Sequence, residues 1–236
     1  MIEVAKVTAA GEQAWNAQAL AQPVVSRVAR IWLYTRPTIV LGPAQRSDPE
    51  TEARAALAGF DLCGRVVGGG AVLAGPWLLG LSVVLPPDDE LVLPSLPRSY
   101  RWLGELHARW LDAAGIATRL AGEPLSRGFR WACFGDLSHG ELTIDDRKIV
   151  GLAQARRRNG ALFAAATLVA AQPWDLLCDV LGQSPEAGRE LERWTTTVSA
   201  ALGRPVEPSS LVDSLAAELS GTLGIARQDR VSTARV

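Results

Sequence analysis

The chain has 236 residues, 48% of them hydrophobic and 21% charged, with a formal net charge of −1. That length suits one large domain or two small ones with a well-buried core, and the near-zero charge supplies no global field for nucleic acid or an anionic membrane surface. Only two histidines occur, His107 and His139, which excludes a His-rich metal site.

Cys63, Cys133 and Cys178 lie far apart, without CxxC spacing. An odd count with no signal peptide predicts reduced thiols and a cytoplasmic location. The first residues, MIEVAKVTAAGEQAW, lack the basic start and apolar run of a secretory signal. No segment approaches the roughly 20 apolar residues that cross a bilayer.

Residues 11–21 read as a short helix with Trp15 and Leu20 toward its buried side. RIWLYTRPTIVL, 30–41, reads as two strands bent at Arg36-Pro37, because proline cannot donate to a central ladder. Asp48-Pro49 places an N-cap acid before a proline at the first helical position, and that helix ends near Gly59. Apolar runs flank Gly68-Gly69-Gly70 within residues 64–86. Three successive glycines weaken a strand, so either the backbone is closely approached there, as in a loop over an acyl or phosphate group, or the chain turns a bulged β-corner. The GK[ST] ending of a P-loop and the GxGxxG fingerprint are both missing.

Residues 99–115 form an amphipathic helix with Leu103, Leu106, Trp110 and Ala114 on one face; His107 beside this stripe reads as a packing or surface histidine. A strand over 116–120 and a loop over 122–131 lead to Cys133. From Cys133 to Leu168 the pattern is a three-strand meander: 141–145, a tight connection at Asp146-Arg147, 148–155, and 161–169. Asn159-Gly160 predicts a type I′ turn with positive φ at both central residues. Ala164, Ala165 and Ala166 leave room beside the third strand. Arg156-Arg157-Arg158 reads as a solvated hairpin end or, alternatively, as a basic run facing an acidic partner or a phosphate. Helices follow at 173–181, 185–202 and 209–223, the last with a partial capping box from Ser210 and Asp213. The expected fold is α+β, a mixed or antiparallel sheet with flanking helices, as a single domain over residues 1–225 with a polar, frayed tail at 226–236.

The order of these pieces resembles the biotin and lipoate protein ligase catalytic-domain superfamily, which includes the lipoate–protein ligases and octanoyltransferases. LGPAQ at 41–45 resembles the family's LGxxQ, RVVGGGAV at 65–72 its RRxxGGGAV acyl-binding loop, and RKIVGLAQARR at 147–157 its (G/R)KISGSAQ segment. Cys133, fifteen residues before Lys148, resembles the octanoyltransferase branch, whose cysteine carries the acyl group as a thioester. The family's histidine after GGGAV is absent, VLAGPW standing there instead; its HGT appears as Ala165-Ala166-Thr167, and the serines of SGSA are Val150 and Leu152.

The resemblance implies transfer of an octanoyl or lipoyl group to a lysine of a lipoyl carrier domain. It implies Cys133 and Lys148 as the catalytic pair, Lys148 at the acyl carbonyl, and Arg65, Gly68, Gly69, Gly70, Ala71, Val72, Gly151 and Ala153 against the acyl ligand. The implied acceptor is a glycine cleavage H protein or a dehydrogenase E2 lipoyl domain, with an acyl carrier protein as a donor. No cofactor is expected for a transferase; the alternative, an ATP-dependent lipoate ligase, needs ATP and Mg²⁺. A third reading is a non-catalytic subunit that binds a lipoyl domain. No metal ligands, nucleic acid or membrane partner are expected. Cys63 and Cys178 read as packing residues.

Overall fold

The computed structural model describes residues 1–232. Its larger sheet has eight strands. β1 (Ile2–Val7) and β2 (Val28–Tyr34) run parallel, and β11 (Arg227–Ser232) lies outside β1, also parallel. Beyond β2 come β6 (Leu78–Leu85), β10 (Gly160–Leu168), β9 (Arg147–Arg157), β8 (Leu142–Ile144) and β7 (Arg119–Leu120), each antiparallel to its neighbour. A second sheet sets β3 (Thr38–Leu41) between β4 (Asp61–Gly64) and β5 (Val72–Ala74). This is the mixed sheet with flanking helices that the sequence implies.

Two helices cover one face of the large sheet, α3 (Leu96–Ala113) and α7 (Val212–Leu223). Leu103, Leu106, Trp110, Leu215 and Leu219 bury there against Leu81, Val83, Val150 and Phe163. The expected stripe on α3 holds except at its end: Ala114 is exposed, and Leu111 packs in its place. The other face carries α1 (Ala9–Ala21), α4 (Trp174–Val180) and the small sheet, with α2 (Pro49–Leu57) and α5 (Pro185–Trp194) outside them. Thr8 caps α1 by accepting from the Gly11 N–H, and Asp48 caps α2 by accepting from the Thr51 N–H at 2.7 Å.

The meander is present, but its turns are not where dipeptide signals place them. Positive φ falls at Asp145 and Asp146, the two residues joining β8 to β9. Gly160 already pairs with Arg157, so the β9–β10 loop is Arg158-Asn159, neither of them at positive φ. Asn159 is committed elsewhere: its side chain donates to the Leu20 and Ala21 carbonyls, and its own carbonyl accepts from Val24 N–H.

Four further expectations are corrected. The strand at 116–120 shrinks to Arg119–Leu120. The helix over 185–202 breaks at Thr195–Thr197 into α5 and α6 (Val198–Leu202), with Thr197 capping α6. Ser210 and Asp213 make no capping box: Ser210 bonds Glu207 O from within a 3₁₀ turn, Pro208–Leu211, and Asp213 pairs with Arg227. The tail from Arg227 to Ser232 is sheet rather than frayed chain, and residues 233–236 lie outside the described residues. The N-terminal strand β1, unread in the sequence, supplies the edge on which it pairs.

Candidate active site

One β-bulge decides what β9 presents to the site. Leu142 pairs with Val150 but Thr143 pairs with Lys148, leaving Ile149 as an extra residue on β9. Ile149 and Val150 both pack into the core under α3 and α7. Strict alternation would place Lys148 on that same face with Val150 and Leu152; the bulge instead turns it to the opposite face, where a Cβ on Gly151 would lie 3.4 Å from its Cε.

On that face the sheet is hollowed by small residues. Gly151 pairs with Ala166 and Ala153 with Ala164, and across β10 Ala166 faces Gly80. The result is a narrow slot, lined by Gly151, Ala153, Ala164 and Ala166 below, by Val67, Val72 and Ala74 opposite, and reaching Cys133. Its core volume is about 40 Å³, within about 460 Å³ of empty space that includes the open mouth. A side chain of ordinary bulk at any of the four small positions would fill it.

A polar group also meets the slot. Glu12 on α1 is buried, accepts from the Tyr34 hydroxyl at 2.7 Å and from Asn16 at 3.4 Å, and lies near Arg65. Burial raises its carboxyl to about 6, against the lowering pull of the Tyr34 and Asn16 bonds and the Arg65 charge. Gly80 makes this pair possible: a Cβ there would sit 2.2 Å from the Tyr34 oxygen.

The quoted motifs lock together around the cysteine. Ala71 N–H donates to Trp131 O at 2.6 Å, and Cys133 N–H donates to Ala71 O at 2.8 Å, a short parallel bridge between the glycine loop and the cysteine loop. Gly70 permits it, since a Cβ there would fall 2.4 Å from Arg130 O. Gln45, from the LGPAQ stretch, accepts from Gly42 N–H and donates to the same Trp131 carbonyl at 3.0 Å. Arg65 holds the loop from within by donating to Gly70 O. Gly68 has open space where a Cβ would be.

Cys133 is half-buried and borders two cavities. The first is the slot. The second, about 240 Å³, is a chamber of mixed lining, with Ser126, Arg130, Asp136 and Ser138 beside Pro124, Leu125 and Leu137 and the backbone of Gly69 and Gly70. Lys148 lines neither cavity. It lies behind the cysteine loop, with 1% of its side chain exposed, donating to Cys133 O at 2.7 Å and Asp136 O at 3.0 Å and pairing with Glu141 Oε2 at 2.6 Å. Three ammonium protons thus meet three acceptors, 5.4 Å from the centre of the Phe134 ring. Glu141, 2% exposed, also accepts from Ser138 N–H and Leu152 N–H.

Glu141 and Glu12 are the site-adjacent residues that motif reading misses. A buried lysine requires a counter-ion, and that requirement, applied to the turn before β8, was the available signal for Glu141. His107 is a satisfied core histidine: its Nδ1 lies 2.8 Å from Leu103 O, and burial lowers it to about 4. Cys63 and Cys178 are pushed up to about 11 by burial, which keeps both as thiols. Among the described residues no cluster of three or more metal-ligating side chains occurs, and no helix is long and apolar enough to cross a membrane.

Residues 10–220 match the model of the lipoyl protein ligase A/B catalytic domain. The octanoyltransferase LipM of Oceanobacillus iheyensis is 28% identical over 184 residues, 74% of this chain and 65% of that one. LipM of Clostridioides difficile is 33% identical over 113 residues, 47% of this chain and 41% of that one. In these alignments the chain therefore spans less than two thirds of each relative's length. Among solved structures, lipoate-protein ligase A bound with ATP superposes with a TM-score of 0.74 at 20% identity, covering 98% of this chain and 88% of that one. The bi-partite lipoate protein ligase of Thermoplasma acidophilum, described with its E2 lipoyl domain, gives 0.70 at 18% identity, with 99% and 88% covered. By the match across its length, this chain belongs to the lipoyl protein ligase A/B catalytic-domain family.

Proposed function

We propose that the chain is an octanoyltransferase of protein lipoylation, carrying the acyl group on Cys133 and delivering it to a lysine of a lipoyl carrier domain. The observation that carries this reading is the position of Cys133, shared between a slot walled by glycine and alanine and an open chamber that bears charged side chains. Each buried methylene contributes about 0.8 kcal/mol, so a slot of this kind holds an eight-carbon chain by several kcal/mol.

In the first half-reaction the Cys133 sulfur attacks the carbonyl carbon of a donor thioester, such as that of an acyl carrier protein. The new C–S bond forms, the donor C–S bond breaks, and the donor thiol leaves with the proton given up by Cys133. Gly69 and Gly70 line the chamber at this point, and their N–H groups donate to nothing else among the described residues; they are the donors we assign to the developing oxyanion. Lys148 is assigned a different part from the one implied by resemblance. It fixes the cysteine loop by its bonds to two backbone carbonyls, its own charge answered by Glu141.

The names of the LipM relatives support octanoyl transfer, and the bi-partite ligase described with an E2 lipoyl domain supports a lipoyl domain as acceptor. A nucleoside triphosphate fits the chamber poorly: its lining sets one guanidinium, Arg130, against Asp136 and the carboxylate of Glu141, and Lys148 is already neutralised.

Intact-mass analysis after incubation with octanoyl–acyl carrier protein tests the reading. One octanoyl group is expected on the wild-type chain and none on Cys133→Ser, and the loaded chain should modify a lipoyl domain. A lipoate-dependent pyrophosphate exchange that survives Cys133→Ser, with no adduct on the wild type, would establish ligation instead.

A further inference from the structure

We propose that the second chamber is the entry for the acceptor lysine and that Asp136 receives its ε-ammonium beside the loaded Cys133; this rests on the thioester reading above. With the acyl chain in the slot, the chamber is the other space that Cys133 borders, so an attacking amine arrives through it. Three charged side chains line it: Arg130, Asp136 and Glu141. Glu141 is already occupied by Lys148 and two backbone amides. Arg130 is exposed, where water screens its charge.

Asp136 differs from both. It is half-buried and pairs with no cationic side chain among the described residues. Its Oδ1 accepts from Arg127 N–H at 2.8 Å and Phe129 N–H at 3.1 Å, and its Oδ2 accepts from the Ser126 hydroxyl at 3.1 Å. A carboxylate offers about four acceptor positions, so one remains open on Oδ2. The three neutral donors fix the group, and the Arg127 guanidinium acts on it through space without forming an ion pair. A cationic, three-donor head on a flexible stem is the chemistry that complements it.

The lysine ammonium gives one proton to Asp136, and the freed amine attacks the thioester carbon. The C–N bond forms and the C–S bond breaks. The departing Cys133 sulfur takes the second N–H proton, leaving an amide and a restored thiol, and Asp136 returns its proton to water.

Asp136→Asn tests this, because the amide oxygen still caps the Arg127 and Phe129 N–H groups. Each chain is first loaded with octanoyl from octanoyl–acyl carrier protein, separated from donor, then mixed either with a lipoyl domain or with hydroxylamine, which is uncharged at neutral pH. In the variant, release to the lipoyl-domain lysine is expected to slow about 100-fold, while loading and hydroxylamine release stay within about twofold. Equal slowing of both releases, loss of loading, or an unchanged lysine rate would each overturn the assignment. Failure of the wild-type chain to load would instead remove the thioester reading itself.

Discussion

The two cavities that meet at Cys133 are built from different parts of the fold. The slot is cut into the interior strands of a sheet, by glycine and alanine at paired positions of β9 and β10. The chamber is walled by loops, around residues 124–126 and 130–138, where charged and hydroxyl side chains stand among Pro124, Leu125 and Leu137. Strand-borne walls are rigid and measure shape; loop-borne walls carry charge and admit an approaching partner. Under the proposed function, selection of the acyl chain falls to one side and approach of donor and acceptor to the other.

The boundary between them rests on the Lys148–Glu141 pair, and breaking it has the largest expected effect on stability. Lys148→Met leaves a buried carboxylate without its counter-ion and is expected to destabilise by about 3–5 kcal/mol in urea unfolding. Adding Glu141→Gln should recover more than half of that. A single-variant loss below about 1 kcal/mol would mean that the pair does not hold the loop.

Next comes the slot. Ala164→Leu fills it from the sheet and should reduce octanoyl loading of Cys133 about 100-fold, since roughly four methylenes lose their place, while acetyl loading persists. The melting temperature should hold, because the added atoms enter empty space. An overpacking loss of about 1–3 kcal/mol with octanoyl loading intact would show that the space lies elsewhere.

The smallest effect concerns the polar wall of the slot. Glu12 has an ordinary carboxyl value of 4.5 and a folded-state value of about 6. The folded state therefore holds this proton more tightly, so the contribution favours folding below about pH 4.5 and is lost as pH rises through 6. At 1.36 kcal/mol per unit the difference amounts to about 2 kcal/mol. Glu12→Gln should be more stable than wild type by about that amount at pH 7.5 and level with it at pH 4.5. Parallel unfolding midpoints at both values would refute the assignment.

Much of this arrangement is written plainly in the residues. The glycine triplet, the alanine-rich third strand and the Cys133–Lys148 spacing each name a piece of the site, and proline at 37 and 49 marks element boundaries that the structure keeps. What escapes is whatever depends on a partner distant in sequence. Asn-Gly at 159–160 is a strong local turn signal, yet Asn159 is held by α1 and the pairing of Gly160 moves the loop by one residue. The bulge at Ile149 carries no marker of its own, and it reverses the face on which Lys148 lies. The polar tail pairs only because β1 offers an open edge.

Ala71 commits both of its backbone groups to the segment bearing Cys133, its N–H to Trp131 and its C=O to Cys133 itself. No hinge therefore separates the triglycine turn from the sulfur. Whatever settles the turn also sets the bearing of the thiol, so an occupant on either side is felt on the other through a lever one peptide unit long.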